Sequence, residues 1–237
     1  MSFKYLLLSL ITVIASQQVY AQNFEAEIAV GYSSYATKDL IRFQDEIISG
    51  NRLSFKTTDR FPAQPYLQIT VAKIMGDGNR VGFFWGYLST GGRLTVSDYS
   101  GEVSSDQILI NHELGVNLNL YIEDLKSEKI APFFQMKISA LLSRLELFDQ
   151  AHLSNGESYK EELTLIAQNA SITPSIGLDT NIISTPLRVT VGYLIQVTEF
   201  PFHLRENRDA KLRISGDNTV GPGLTGLRVS VSGVLSF

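Results

Sequence analysis

The sequence predicts an all-β chain: an eight-stranded antiparallel up-and-down barrel that crosses a membrane, with one short helix in its first outer loop. Three observations predict it. Apolar and polar residues alternate one by one through most of residues 24–237, which is the strand period. Glycine gathers on the polar faces of those runs. The links between runs alternate between short and long. Composition narrows the choice. With 237 residues, 44% hydrophobic and 10% aromatic, the chain is too apolar for disorder. A mean hydropathy of +0.05 excludes several membrane helices, each of which needs about 20 apolar residues. The absence of cysteine excludes a disulfide scaffold, a thiolate metal site and a cysteine nucleophile. A net charge of −4 gives no electrostatic reason to expect nucleic acid.

Residues 1–21 read as a secretory signal. Lys4 gives a positive start, Tyr5 to Ala15 an apolar run too short to span a bilayer, and Val19-Tyr20-Ala21 a small-residue cleavage site. Cleavage near Ala21 leaves 22–237 as one domain with 19 basic against 24 acidic residues. Eight alternating segments follow, near 24–35, 66–75, 80–90, 105–122, 131–147, 162–178, 187–198 and 225–237. In the first, Phe24, Ala26, Ile28, Val30 and Tyr32 oppose Glu25, Glu27, Ala29, Gly31 and Ser33. In the fourth, Ile108, Ile110, Leu114, Val116, Leu118, Leu120 and Ile122 share a face that only His112 interrupts. In the last, Leu227, Val229, Val231, Leu235 and Phe237 align, with Gly233 as the gap. Residues 75–79, 123–130 and 179–186 are the short links; 36–65, 91–104, 148–161 and 199–224 are long, polar and expected as loops. A further hairpin inside 36–65 or 199–224 would raise the strand count to ten. Thr37 to Ile48 carries Leu40, Ile41, Phe43, Gln44, Ile47 and Ile48 at helical spacing, the one convincing helix.

Alternation alone does not say which face meets the interior. Glycines 31, 82, 86, 115, 177 and 192 lie on the polar faces, where a narrow eight-strand lumen has room only for small residues. Those faces carry mostly Asn, Ser, Thr and Gln rather than the Lys and Glu of a water-facing surface. The chain ends inside an alternating strand, at Phe237. The apolar face is therefore expected outward, against lipid, because a closed barrel satisfies every backbone hydrogen bond there. Phe24, Phe134 and Phe237 then form a lower aromatic girdle, and Tyr32, Trp85, Tyr87 and Tyr193 an upper one.

The signal together with a last strand Val229-Ser230-Val231-Ser232-Gly233-Val234-Leu235-Ser236-Phe237 resembles small bacterial outer-membrane β-barrel proteins. Ser89-Thr90-Gly91-Gly92-Arg93 and Asp98-Tyr99-Ser100-Gly101-Glu102 are similar to a stretch of the Bacteroidetes-type outer membrane protein beta-barrel domain, with its OmpA/OmpX-like architecture. The resemblance implies insertion into the outer membrane of a Gram-negative bacterium by the barrel assembly machinery, through the strand ending at Phe237, with long loops at the cell surface. It implies no single activity, since structural, porin-like, adhesive and enzymatic members share the architecture.

Candidate functional residues follow from that orientation. Glu25, Glu27, Glu113, Lys137, Arg188 and Arg228 fall on inward rows, Glu27 level with Arg188 and Glu113 near Lys137. Buried charge must be paired or hydrated. These residues read as a lumen charge network; the alternative is a narrow polar path for water or small solutes. Arg93, Asp98 and Glu102 flank an outer hairpin and read as a rim ion pair. Arg205, Arg208, Lys211 and Arg213, beside His203, could meet lipopolysaccharide phosphates, or simply be solvated. His112-Glu113 lacks the second histidine of a zinc-protease motif, and Leu114 stands where a lipid A deacylase would carry serine. No nucleophile elbow, phosphate loop or calcium loop occurs. The expected protein is a monomeric, non-catalytic barrel without cofactor or metal. Its partners are outer-membrane lipid and lipopolysaccharide, and its role is structural or surface interaction. The alternatives are a porin-like channel and, more remotely, a lipid A-modifying enzyme.

Overall fold

The computed structural model describes residues 23–50, 55–76, 78–99, 101–127, 129–180, 186–214 and 218–237. The signal segment, Gln22 and Ser100 lie outside them. The strands are β1 (Phe24–Tyr35), β2 (Lys56–Arg60), β3 (Gln64–Ile74), β4 (Arg80–Asp98), β5 (Gly101–Tyr121), β6 (Ile130–Leu153), β7 (Ser158–Thr180) and β8 (Leu187–Gln196), then the short β9 (His203–Leu204), β10 (Arg213–Ile214) and β11 (Asn218–Thr219), and finally β12 (Gly226–Ser236). One α-helix, α1 (Lys38–Gly50), follows β1.

Eight strands form an antiparallel ring in the order β1-β3-β4-β5-β6-β7-β8-β12, with β12 returning to β1. The register runs from Glu25↔Ser236 to Tyr35↔Gly226 between the first and last strands. Phe24 and Phe237 exchange backbone hydrogen bonds at its foot, at 3.1 and 2.9 Å. Each ring strand contains its stretch of sequence alternation, because a pleated strand sends successive side chains to opposite faces. Pro174 has no N–H to give, and the β7–β8 ladder skips from Ile172↔Ile195 to Ser175↔Gly192 around it. The extra segments do not cross the ring. β2 lies on the edge of β4, β9 on the edge of β7, and β10 pairs with β11 in a sheet of their own.

Two of the long loops expected from the sequence are strand. β4 and β5 pair without a break up to Asp98↔Gly101, so residues 91–98 and 101–104 are paired strand rather than loop. β6 and β7 likewise pair up to His152↔Ser158. Polarity suggested loops there, but polar residues on the outward face of a solvated sheet leave the ladder intact. β6 thus has 24 residues against 10 in β8. The four neighbouring strands β4 to β7 rise above the ring as a continuous sheet.

The upper mouth is filled. α1, the segment around Phe61 and residues 199–214 and 218–224 fold over the inner side of the raised sheet. Leu40, Phe61, Leu88, Leu109, Leu141, Leu145, Leu165, Leu194, Phe202, Val220 and Leu224 make one buried apolar cluster. α1 enters it with Leu40 and Gln44, one turn apart on the same face. Gln44 Nε2 donates to the carbonyl of Asp59 at 3.3 Å, and Thr37 N to that of Gly223 at 3.0 Å, tying α1 to both other segments. Gly223 takes a φ of 59°, the left-handed conformation that suits glycine there. The segment 199–224, polar overall, contributes three core residues in this way.

Lumen packing gives a direct test. A Cβ on Gly177 would run into the Phe133 ring, whereas Gly233 has open space around it. Gly177→Val is expected to lower stability by about 1–3 kcal/mol through overpacking. Gly233→Ala is expected to stay within about 0.5 kcal/mol. Urea unfolding of the refolded protein in micelles, followed by gel mobility with and without boiling, measures both.

Candidate functional site: a charged lumen

The inward rows of β1, β8, β12 and the lower halves of β3 to β7 line the lumen, and they are polar. Glu25, Glu27, Glu113, Lys137, Arg188 and Arg228 are all buried. All but Lys137 fall into two clusters.

The lower cluster centres on Arg188 of β8. Its Nη1 donates to Glu27 Oε2 at 2.5 Å and meets Glu25 Oε1 at 2.9 Å. Its Nε donates to Asp179 Oδ1 at 2.7 Å, and its Nη2 to Asp179 Oδ2 at 3.0 Å and to the Tyr121 hydroxyl at 3.1 Å. Arg80 of β4 completes the layer. It pairs with Glu25 at 2.6 Å and with Asp179 at 2.9 Å. Its guanidinium stacks on Tyr121, 4.5 Å from the ring centre, and that of Arg188 lies 5.2 Å from the Phe133 ring centre. Tyr121 donates to Asp179 at 2.5 Å, and Ser232 to Glu27 at 2.7 Å. The Glu25 contacts are ion pairs without hydrogen-bond alignment. Three carboxylates and two guanidiniums thus share a layer, a planar fork being the cation best suited to several oxygens at once.

The upper cluster centres on Arg228 of β12. Its Nη1 donates to Glu113 Oε2 at 2.5 Å. Its Nε and Nη2 donate to the Tyr35 hydroxyl at 3.0 and 2.7 Å, and it lies over the Tyr35 and Tyr66 rings. Ser139 donates to Glu113 at 2.7 Å and lies 2.7 Å from Ser171 Oγ. Lys137 is separate. Its Nζ donates to Gln68 Oε1 at 2.8 Å and lies 5.4 Å from the Phe84 ring centre. The sequence set Glu113 against Lys137; the carboxylate instead takes Arg228. Lys137 stands opposite Asn117 on β5, four positions from Glu113, and its stem carries it toward β3.

Two members of the lower cluster were missed. Arg80 stood at the first position of its segment and Asp179 in an expected link. Parity would have found both, because Arg80 shares its row with Gly82 and Gly86, and Asp179 with Gly177.

The outer groups are arranged differently from expectation. Arg93 pairs with Asp106, its neighbour across the β4–β5 ladder, rather than with a residue of the hairpin turn, since Arg93↔Asp106 share a rung and a face. Asp106 beside it pushes the guanidinium pKa further up. Asp98 and Glu102 lie five and four positions closer to the turn along their own strands, Asp98 opposite Gly101 and Glu102 opposite Ser97. At the tip of the next hairpin the Tyr159 hydroxyl donates to Glu161 at 2.6 Å, and that carboxylate holds the phenol above its usual pKa. Arg205, Arg208, Lys211 and Arg213 are exposed. His203 pairs with Ile166 of β7, and Ile166 with Arg144 of β6, so this basic segment starts on the same rung as Arg144. His112 points outward, its ring stacked on Trp85 at 6.0 Å and 23° and tilted against Tyr87 at 5.4 Å.

No protein-family model matches the chain, and no curated protein matches it. Among solved structures it is similar to Ail, the attachment invasion locus protein of Yersinia pestis, in complex with the heparin analogue sucrose octasulfate. The TM-score is 0.34 at 11% identity, covering 90% of this chain and 99% of that one. A second structure of Ail from Yersinia pestis gives a TM-score of 0.32 at 10% identity, with the same coverage.

Breaking a buried pair strands its partner's charge. Arg188→Met leaves Glu27, Glu25 and Asp179 with one guanidinium, and is expected to cost about 3–5 kcal/mol. The exposed Arg93→Met is expected to cost less than about 1 kcal/mol. Urea midpoints of the two variants would separate a lumen brace from a rim contact; equal midpoints would remove the brace.

Proposed function

We propose that the chain is an integral outer-membrane β-barrel of structural or surface-interaction type, which presents a folded outer module and catalyses no reaction. One observation carries this reading. Along the tall strands the outward row is apolar below one rung and takes on charge above it, where leucines enter the inward row, although Ile108, Ile110 and Ile166 stay outward. Below it, Val81, Phe83, Trp85 and Tyr87 of β4, Val116 and Leu114 of β5, Ile138 and Leu142 of β6, and Ile176 and Ile172 of β7 point outward, opposite a polar interior. Above it, Arg93, Asp106, Glu146 and Glu162 point outward, while Leu94, Leu109, Leu145 and Leu165 are buried inside. The switch falls at the rung Tyr87↔His112↔Leu142↔Gln168. Water around the whole molecule would favour one polarity along its full height. A change of polarity on continuous strands fits a change of surroundings, hydrocarbon below and water above.

The dimensions agree. The outward apolar row of β6 runs from Pro132 to Leu142, and at about 3.3 Å per residue and a tilt near 40° it covers roughly 25 Å, the height of a membrane apolar band. Tyr87 and His112 sit at its upper limit and Phe24 and Phe134 near its lower one, in keeping with aromatic girdles. The basic residues Arg205, Arg208, Lys211 and Arg213 follow His203, which joins the rung next above the switch. That height would bring them to lipopolysaccharide phosphates, the partner proposed for them. The Bacteroidetes-type kinship, signal cleavage near Ala21, assembly through the strand ending at Phe237 and a monomeric state belong to the same proposal. A porin-like path is less favoured, because thirteen buried apolar side chains fill the upper lumen and the guanidinium layer crosses the lower one.

Trp85 is the chain's only tryptophan, so its fluorescence reports on the band directly. In bilayers of brominated lipid, Trp85 is expected to be strongly quenched, and more so with bromine near the glycerol end of the acyl chain than at its terminus. Emission unaffected by either lipid would overturn the membrane reading. Planar-bilayer recording is expected to stay silent over many insertions; reproducible unitary steps would favour the channel instead.

A further inference from the structure

We propose that the lower lumen contains a binding site for a small monovalent anion of chloride size, held by Lys137. The Lys137 side chain is buried, at 4% exposure. An ammonium has three N–H donors, and the contact made by this one is Gln68 Oε1 at 2.8 Å. No carboxylate among the described residues pairs with it. Glu113 is taken by Arg228 and Ser139, Glu27 by Arg188 and Ser232, and Asp179 by Arg188, Arg80 and Tyr121. A buried cation short of partners is costly.

The groups beside Lys137 are short of partners too. Its cross-strand neighbours are Asn117 on β5 and Thr173 on β7. Both are buried, at 2% and 1% exposure. The amide nitrogen and oxygen of Asn117 and the hydroxyl of Thr173 make no hydrogen bond. One rung below, Gln135 donates to Asn119 at 2.8 Å, and Asn119 Nδ2 is left without an acceptor. Buried polar groups are normally satisfied, so a cluster of unsatisfied ones calls for an occupant, an ion or water. Here the spare groups are mainly donors, from an ammonium, two amides and a hydroxyl. A cation would be repelled by Lys137. A multivalent anion would need more than one positive charge in contact. The site lies between the apolar cluster and the guanidinium layer in a narrow ring, which favours a small ligand. Waters could complete the remaining acceptors, Asn117 Oδ1 and Gln135 Oε1.

The experiment uses the full mature chain refolded in detergent. Crystals grown in sodium bromide are expected to give an anomalous peak in contact with Lys137 Nζ and Asn117 Nδ2. In solution, replacing gluconate by chloride at constant ionic strength is expected to raise the thermal midpoint along a saturable curve. Lys137→Met is expected to abolish that dependence. Asn117→Leu, which keeps the ammonium and removes one donor, is expected to weaken the apparent chloride affinity about tenfold. If Lys137→Met does not fold, Asn117→Leu decides alone. Water without bromine at the site, with a midpoint indifferent to chloride, would overturn the proposal. An unchanged chloride response in the variants would do the same, by making the ion adventitious.

Discussion

The ladder between β1 and β12 is the constraint from which the rest follows. It joins the two ends of the chain's sheet and leaves no ring strand with a free edge at that level. Every ring strand is then paired on both sides, and its side-chain parity is locked by two neighbours. A slip of one residue in any of them would exchange its inward and outward rows. For β8 such a slip would turn Arg188 outward and Val189 in; for β1 it would expose Glu27 and bury Ile28. In this molecule an error of register is also an error of charge burial, which makes it costly twice.

In the proposed membrane setting, two solvents at the outer surface account for two patterns on the same strands. On β6, Ile138 and Leu142 face outward while Lys137 and Ser139 face in, and a few residues later Leu145 faces in while Arg144 and Glu146 face out. The backbone does nothing unusual at the changeover; the ladder continues rung by rung. What changes is which side has to be apolar. Above the switch the inner side belongs to an ordinary core, completed by α1 and by Phe202, Val220 and Leu224. The raised part of the molecule is a small globular unit built on the ends of ring strands, and its core doubles as the stopper of the lumen.

This split also explains what the sequence reveals and what it hides. The ring strands were legible because each has one rule along its length, apolar out and small or polar in. The glycines were the decisive sign: the space where a Gly31 side chain would go is taken by the Tyr66 ring, and that of Gly177 by the Phe133 ring. The upper halves of β4 to β7 were not legible, because the rule reverses there. A window spanning the reversal averages out to no period, and stretches such as Phe148-Asp149-Gln150 then look like loop. The lumen charges were legible as a set, through parity, and Glu27 was placed level with Arg188, its partner, but the partner of Glu113 was not legible. Register along the chain gives height, whereas partners across a lumen depend on reach, and Lys137 shows how far a four-carbon stem can depart from its own rung. Arg93 shows the converse. Its partner is its directly opposite neighbour, Asp106, which lies further along the chain than the turn residues that drew attention.

The choice of charge over hydrocarbon inside the lower lumen fits the same logic. Buried ion pairs add little net stability compared with apolar packing of equal volume, but they discriminate strongly against a missing partner. Arg188 of β8 joins Glu25 and Glu27 of β1, Asp179 of β7 and Tyr121 of β5; Arg80 adds β4, and Ser232 adds β12 through Glu27. Arg228 of β12 reaches Glu113 of β5 and Tyr35 of β1, Ser139 of β6 continues the chain of contacts to Ser171 of β7, and Lys137 links β6 to Gln68 of β3. Every strand of the ring is therefore held by at least one directional contact across the lumen as well as by its ladders. Leucines in these places could satisfy a range of registers with similar energy. A fork that must find particular carboxylates satisfies one. In a narrow ring whose lower outer surface is mostly apolar, and so nearly indifferent to register, specificity has to come from the inside, and the arginines supply it.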